Sequence, residues 1–582
     1  MMLRQALSVP ADEPWRSRPP LSRTAIARLV QIAGAFDVAT SLLPPRHGRM
    51  AALAEFMPAA GFLTARAATA VAGLLLIYLG VGLRRGKHRA WQVAVVLAGM
   101  GVVLHLAKGL DYDAAAVSGA LLIMLIAVRG RFQAVADPRN RWRALLALAG
   151  FAAAGFLLGF VEIAVRMNRL QGHPGWISWA QEAGLGLLGI PGPLRFLRPV
   201  GAETVSLTTG ACGLLAVTLA VILLLRPGCP LPERTDADDL TLRELLHRYG
   251  SLDSLGYFAL RGDKSLIWAP SRKAAIAYRV VNGVSLASGD PVGAESAWPE
   301  AIAAWLADCT VHGWTAAVLG CGNAGGRAYR KSGLDVVELG DEAVLDVAAF
   351  SLDGRPMRGV RQAVNRIRRA AYTCQVVRQR DLTPDDLAEA VRAGEAFRDG
   401  AVERGFSMAL SRLGDPRDAD CLFVICRDAE GRIRGLLQFV PWGSDGLSLD
   451  LMRGDRTVDN GLTEFMVVST IEAAPGLGVR RMSLNFAVLR SVFARAEELG
   501  AGPVLRLWHR LLMVASRLWQ IESLYRANAK YRPAWQPRYL CFPTARDLPR
   551  IAVAALSAEA FLPGRREHRD LGPASPSVLG VG

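Results

Sequence analysis

The stretch SLDLMRGDRTVDNGLTEFM gathers side chains able to do acid–base or binding chemistry. Asp450 alternates with Leu449 and Leu451 in an apolar run, so its carboxylate is either paired within the fold or poised as a base. Arg453, Asn460 and Glu464 follow close behind. Upstream, SLDGRPMRGVRQAVNRIRRAAY carries Arg358, Arg361, Arg366, Arg368 and Arg369. At helical spacing these arginines make a nearly continuous basic face, suited to the phosphates of RNA or lipid. The plainer alternative is a solvated helix surface. Near the end, YRANAKYRPAWQPRYLCFP interleaves Tyr525, Tyr531, Trp535 and Tyr539 with Arg526, Lys530, Arg532 and Arg538. Such interleaving can hold a nucleic-acid end by stacking and phosphate contacts, or it can be an amphipathic strand closing the core.

Other chemistries find less support. GCGNAGG sets Gly320, Gly322 and Gly325 in GxGxxG spacing after a strand-like run, the outline of a dinucleotide fingerprint. No clear βαβ unit with a terminal acidic residue accompanies it, and a loop before a helix explains it equally. There is no GxxxxGK[ST], GxSxG or HExxH, and His247, His312 and His509 are scattered. The eight cysteines form no CxxC pair. The expectation is therefore an activity without metal or cofactor, and no disulfide framework.

The elements that must position these residues lie after about residue 240. Strand-like runs are 265–270, 274–281, 315–320, 421–427, 435–442 and 446–452, and helix-like runs are WPEAIAAWLADCTVHG, LTPDDLAEAVRAGEAFRDGAVERG, LTEFMVVSTIEAAPG and 503–528. A long helix between strand groups occurs twice, which suggests two related α/β lobes. Thr241–Tyr249 reads as a short amphipathic helix ahead of them.

The first part of the chain has another character. Apolar runs at 59–83, 91–107, 112–128, 144–165 and 207–225 suit a bilayer core, and a weaker run at 25–43 contains Asp37. Six spans place three basic clusters on one side: Arg4 to Arg28, Arg84 to Arg89, and Arg129 to Arg143. Both termini then face the cytoplasm. Asp37, His105 and Glu162 lie in or near the spans, where they mark a lipid or ion pathway or pair within the bundle. These features divide the chain into an N-terminal segment (1–24), a membrane domain (25–226), a Pro-rich linker (227–240), a cytosolic domain (241–545) and a partly disordered tail (546–582). Across all 582 residues, 51% hydrophobic and 21% charged excludes a mainly disordered chain. The net charge of +16, carried by arginine except for six lysines, suits an anionic partner.

From about Leu252 to Phe542 the sequence resembles the phosphatidylglycerol lysyltransferases, also called multiple peptide resistance factor proteins. The resemblance rests on markers in family order: ASGDPVG with Asp290 and Pro291; LGDEAVLDVAAFSLDGRPMRGVRQAVNR with Glu342, Phe350, Arg361 and Asn365; SLDLMRGD; NGLTEFM; MSLNFAVL; and KYRPAWQPRYL. It implies an N-terminal α-helical transmembrane bundle and a C-terminal tandem acetyltransferase-like (GNAT) domain. It implies transfer of an amino acid, usually lysine, from aminoacyl-tRNA to the glycerol hydroxyl of phosphatidylglycerol in the bacterial inner membrane, with the catalytic part in the cytoplasm. The lipid becomes less anionic, which protects against cationic peptides.

On that reading Asp450 is the base or a ligand of the substrate amino group, and Arg453 and Lys530 contact phosphate or oxyanion. Glu464 and Asn485 line the aminoacyl pocket, with Asn460 and Arg538 as further substrate contacts. Arg358, Arg361 and Arg366 take the tRNA acceptor end or the lipid headgroup. A homo-oligomer is left open. Departures from the family pattern, Met408–Ala409–Leu410 after the GFS turn and SLNFAVL, fall where the amino acid could be chosen. The rival expectations are transfer to another lipid acceptor and a non-enzymatic lipid transporter.

Overall fold

The computed structural model describes residues 22–42, 59–224 and 234–561, apart from 399–404, 489–525 and the short gaps at 85, 108–110, 133–138, 173, 191, 198 and 459. The chain divides near Gly228 into two compact units, taken in turn.

The first unit is helical: α1 (Arg23–Leu42), α2 (Ala59–Arg84), α3 (His88–Ala107), α4 (Tyr112–Ala127), α5 (Arg139–Val165), α6 (Trp176–Leu187) and α7 (Pro199–Leu224). Each apolar run read from the sequence overlaps one of these helices; α6 is additional. Within them His88–Leu106, Trp142–Val165 and Gly201–Leu224 are long and apolar enough to cross a membrane, and Ala68–Arg84 and Tyr112–Ala127 are shorter apolar helices. Helices α1 and α2 meet at Gly34 and Gly73, where a Cβ on either would lie 2.5 Å from the other's carbonyl oxygen. Glycine permits that approach, as small residues do at membrane helix crossings. The ionisable groups are paired: buried His105 Nε2 lies 2.9 Å from Asp37 Oδ1, and Arg166 bonds Glu162 one turn away.

The second unit opens with α8 (Asp236–Tyr249). The helix starts ahead of the expected Thr241 because Thr235 and Asp238 form a reciprocal capping box. There follow β1 (Ser265–Trp268), β2 (Ala274–Val281), β3 (Val284–Ser288), β4 (Val292–Gly293), α9 (Trp298–His312), β5 (Thr315–Cys321), α10 (Asn323–Lys331), β6 (Asp335–Asp346), α11 (Arg358–Arg369), β7 (Thr373–Arg378), α12 (Pro384–Arg398), β8 (Leu422–Arg427), β9 (Ile433–Trp442), β10 (Gly446–Gly454), α13 (Leu462–Ala473), β11 (Arg481–Val488), β12 (Ala534–Phe542) and α14 (Leu548–Ala558).

The strands form one 12-stranded sheet in the order β1-β2-β3-β5-β12-β6-β11-β10-β9-β8-β7, with β4 on β2. It contains the same unit twice. In the first half an antiparallel run ends in the parallel pair β3–β5, joined by α9; in the second, β7 to β10 ends in the parallel pair β10–β11, joined by α13. The halves interlock. Strand β6, which follows the first half, pairs with β11 of the second, while β12, last in the chain, inserts between β5 and β6. Helix α14 buries Leu548, Ile551, Ala554 and Ala558 against the core of the first half. The folded chain thus runs past residue 545, where the expected tail begins.

Candidate active site

The two parallel pairs differ. Strands β3 and β5 stay in register from Val284–Thr315 to Ser288–Leu319. Strands β10 and β11 pair only over Gly446–Arg481, Leu447–Met482 and Ser448–Ser483, and then both bulge. In β10 the bulged residue is Asp450, since Leu449 faces Phe439 and Leu451 faces Gln438. In β11 Leu484 and Asn485 stand against Ala343 alone. A bulge re-aims side chains and ends pairing, so the sheet opens into a fork at this end of the second half. Helix α13 leaves the end of β10 and returns to β11, so its N-terminus stands over the open end.

Asp450 is held in the fork. Its Oδ1 accepts the Leu410 amide at 2.7 Å, and its Oδ2 accepts Gln438 Nε2 at 2.8 Å. The carboxylate thus lies on the Gln438 side of the sheet, although alternation from Leu449 alone would have left its direction open. Asn485 has φ 66°, a left-handed conformation that asparagine tolerates, and its Nδ2 donates to Leu449 O across the gap. Leu484 O accepts Asn528 Nδ2 at 3.3 Å, which docks the segment carrying Lys530 on the β11 bulge. Lys530 Nζ lies 2.5 Å from Glu464 Oε1, in the first turn of α13. Gln438 Oε1, Asn485 Oδ1 and Ser448 Oγ are buried with no hydrogen-bond partner among the described residues. Beside Asp450, such acceptors suit a ligand rich in N–H donors.

The fork thus brings together Asp450 and Asn485, with Glu464 and Lys530 at the end of α13. Asn460 is an exposed turn residue just before that helix. Among the described residues Arg453 bonds to α12: its Nη1 donates to Gly394 O at 2.8 Å and lies 3.2 Å from Glu395 Oε1. The bulge turns Leu451 and Arg453 toward the α12 core, where Arg453 finds these partners. Gln438 was not legible in advance; its only sequence signal is a polar residue inside the apolar strand β9. The sequence singles out Leu410 only as part of the Met408–Ala409–Leu410 departure, without its amide's role.

Arg538 lies elsewhere, on β12 and wholly inside. Its guanidinium bonds Glu342 Oε2 (2.5 Å), Asp253 Oδ1 (2.6 Å), Ser254 Oγ (2.5 Å) and Gly320 O (3.2 Å). Burial works against its charge, but Glu342 and Asp253 more than offset that and hold the guanidinium protonated. Its donors are turned inward onto these protein groups. Glu342 Oε1 also accepts Ser254 Oγ and Ser483 Oγ, and Ser483 Oγ accepts the Asn485 amide at 3.1 Å. The network therefore reaches the fork.

The glycine-rich turn is filled from within. Asp290 accepts Gly322 N–H at 2.7 Å and Gly325 N–H at 3.3 Å at the start of α10. A Cβ at Gly325 would lie 2.0 Å from Asp290 Oδ1. The position where a dinucleotide phosphate would sit holds a carboxylate of the protein, so these glycines seat Asp290. Burial and the charge of Asp253 push that carboxyl up from the usual carboxylate range.

Helix α11 buries Val360, Ala363, Val364 and Ile367 and exposes Arg358, Arg366, Arg368 and Arg369. Arg368 pairs with Glu472 at 2.7 Å, and half-buried Arg361 donates to Leu352 O and Gly354 O. The basic face is real, but Arg361 spends its donors on the preceding loop. The expected 503–528 helix lies mostly outside the described residues.

Among solved structures, L-PGS from Bacillus licheniformis has a TM-score of 0.50 at 20% identity, covering 57% of this chain and 99% of that one. The fold of the second unit, with its two similar α/β halves, is thus that of L-PGS. Residues 243–542 match the family described as "Phosphatidylglycerol lysyltransferase, C-terminal", and the chain belongs to that family. With its long apolar helices it is a membrane protein. It is 43% identical over 507 residues to the "Lysylphosphatidylglycerol biosynthesis bifunctional protein LysX" of Rhodococcus jostii (strain RHA1), covering 85% of this chain and 45% of that one. The LysX of Mycobacterium avium (strain 104) is 49% identical over 375 residues, 64% of this chain and 32% of that one. The chain spans less than half the length of these relatives.

Proposed function

We propose that this chain transfers an aminoacyl group, lysyl first among candidates, from aminoacyl-tRNA to the glycerol hydroxyl of phosphatidylglycerol, at the cytoplasmic face of the bacterial inner membrane. One observation carries the reading: the fork between β10 and β11 holds Asp450 beside Gln438 Oε1 and Asn485 Oδ1, buried acceptors without a partner among the described residues. Acceptors around a carboxylate suit an aminoacyl ammonium group. The names of the relatives, which speak of lysylphosphatidylglycerol, support the choice of lipid and amino acid.

The chemistry asks mainly for positioning, because the aminoacyl ester is already activated. The lipid hydroxyl oxygen bonds to the ester carbonyl carbon, and the bond from that carbon to the tRNA ribose oxygen breaks. Asp450 takes the hydroxyl proton and returns it to the leaving ribose oxygen, so the step balances without a cofactor. Lys530, beside Glu464 at the open end of the fork, supplies positive charge for the developing oxyanion or a lipid phosphate. Arg358 and Arg366 on α11 offer exposed guanidinium groups to the tRNA acceptor end. The domains follow from this reading: a membrane anchor up to about 226 and the transferase after it.

The test is a lipid assay with the purified full chain, phosphatidylglycerol vesicles and a panel of labelled aminoacyl-tRNAs. One tRNA should yield a labelled lipid, and D450N should lower that yield by about 100-fold or more with the thermal midpoint held. No labelled lipid from any tRNA with folded protein would move the reading to another acceptor or to a non-enzymatic role.

A further inference from the structure

The segment Gly405–Ser411 forms a third wall beside the fork, and it is tied down from the side away from Asp450. At its start Gly405 has φ 108°, and at its end Ser411 has φ 57°, so two left-handed residues bracket the turn. Buried Arg261 donates through Nη1 to Gly405 O and, at 3.1 Å, to Ala409 O. Glu559, at the C-terminal end of α14, takes three donors with one carboxylate: Phe406 N–H on Oε2 at 2.6 Å, and Ser407 N–H (3.1 Å) and Ser407 Oγ (2.7 Å) on Oε1. Arg412 fixes the far end through Leu260 O at 2.7 Å and Asp418 at 2.6 Å. Between these anchors the Leu410 amide points at Asp450 Oδ1, 2.7 Å away.

We propose that Glu559 is a positioning residue for the transfer: it locks the Gly405–Ser411 turn so that the Leu410 amide holds the Asp450 carboxylate in the fork. Glu559 lies beyond residues 243–542, the part that matches the family model, at the end of α14. Titratable and charged groups of the neighbouring segment also face the lock. Lys264 lies over the Phe406 ring at 4.7 Å, and Arg261 is held by Asp263, which also takes Arg279. The three donors on one carboxylate are charge-assisted bonds, stronger than neutral ones, and three from one side chain fix a turn that glycine alone would leave loose. The inference rests on aminoacyl transfer at Asp450 only for its kinetic readout.

The experiment uses the full chain. Hydrogen exchange of the Phe406, Ser407 and Leu410 amides is followed in wild type, E559A, E559Q and S407A, alongside lipid-product kinetics with aminoacyl-tRNA and phosphatidylglycerol. E559A should release all three amides and lower kcat about 10-fold or more, with KM for both substrates within about twofold, as expected when a reacting group is misplaced and substrate binding is left intact. The acid limb of its pH–rate profile should move to higher pH, because a carboxylate deprived of an N–H bond binds its proton more tightly. E559Q keeps an oxygen for Ser407 but loses the Phe406 bond and should fall between. S407A, which leaves α14 untouched, should shift exchange and kcat the same way by a smaller factor. Amides as protected in E559A as in wild type, or released amides with kcat unchanged, would overturn the proposal. Should wild type make no lipid, the transfer reading fails and the exchange data alone decide the lock.

Discussion

At the scale of single residues, the chain buries charge where it also needs precision. Lys264 is fully buried, and its Nζ donates to Phe258 O at 3.0 Å and Ser288 Oγ at 2.7 Å. Burial, joined by the neighbouring Arg261 charge, lowers its pKa from 10.5 to about 7. A neutral amine has two N–H groups, which these acceptors satisfy, so the fold suits the uncharged form. The sign follows by linkage. The unfolded lysine binds its proton up to about pH 10 while the folded one releases it near 7, so this group's cost is full below pH 7 and fades as pH rises between the two values. In K264M that cost is absent. The stability of wild type relative to K264M should therefore rise between about pH 6.5 and pH 9, by an amount on the order of 1 kcal/mol per pH unit. Thermal or denaturant melts of both proteins across that range check it; parallel curves would sink the assignment.

At the scale of elements, what the sequence revealed depended on whether a strand's burial was apolar. The apolar runs of β2, β5, β8, β9 and β10 were visible as continuous hydrophobic stretches. Strands β6 and β11 were not, and β12 was visible only as one of two alternatives for its segment, though all three lie at the centre of the sheet. Their inward positions include Glu342, Ser483 and Arg538, a polar network whose members satisfy one another and so leave no hydropathy signal. The fork was hidden for another reason: it depends on register shifts at Asp450 and Leu484–Asn485, and alternation carries no trace of a shift. Helix α11 lay between these cases. Its apolar face and its arginines were both legible, but not which arginines stay outside. Arg358, Arg366 and Arg369 are exposed, whereas Arg361 braces the preceding loop. Replacing those three with glutamine should therefore reduce the salt dependence of aminoacyl-tRNA binding. The slope of log K against log salt should fall by about 2, since each phosphate no longer neutralised takes away roughly 0.7–0.9. Filter binding across a salt series measures it, and an unchanged slope would take the tRNA off this helix.

At the scale of the whole second unit, the repeated halves are not independent. Each resembles a small α/β domain able to fold alone, yet β6 leaves the first half to pair with the second, and β12 returns to complete the first. The crossing point is where the charges are buried: Arg538 on β12 meets Glu342 on β6, Asp253 before β1 and Gly320 at the end of β5, while Glu342 reaches Ser483 on β11. Removing one member of a buried ion network leaves the others unpaired, which typically costs about 3–5 kcal/mol, more than a surface pair is worth. Because the network spans strands from both halves, that loss cannot be confined to one of them. In native-state hydrogen exchange of the full chain, R538M should lower the opening free energy of amides in β2 and β3 and of those in β8 and β9 by the same amount, within error, and to the order of 3 kcal/mol or more. Amides of one half weakened while the other half keeps wild-type protection would mean that the strand exchange joins two separately stable domains. Equal weakening would mean that the fork, and the carboxylate in it, depends on a buried ion cluster on the far side of β11.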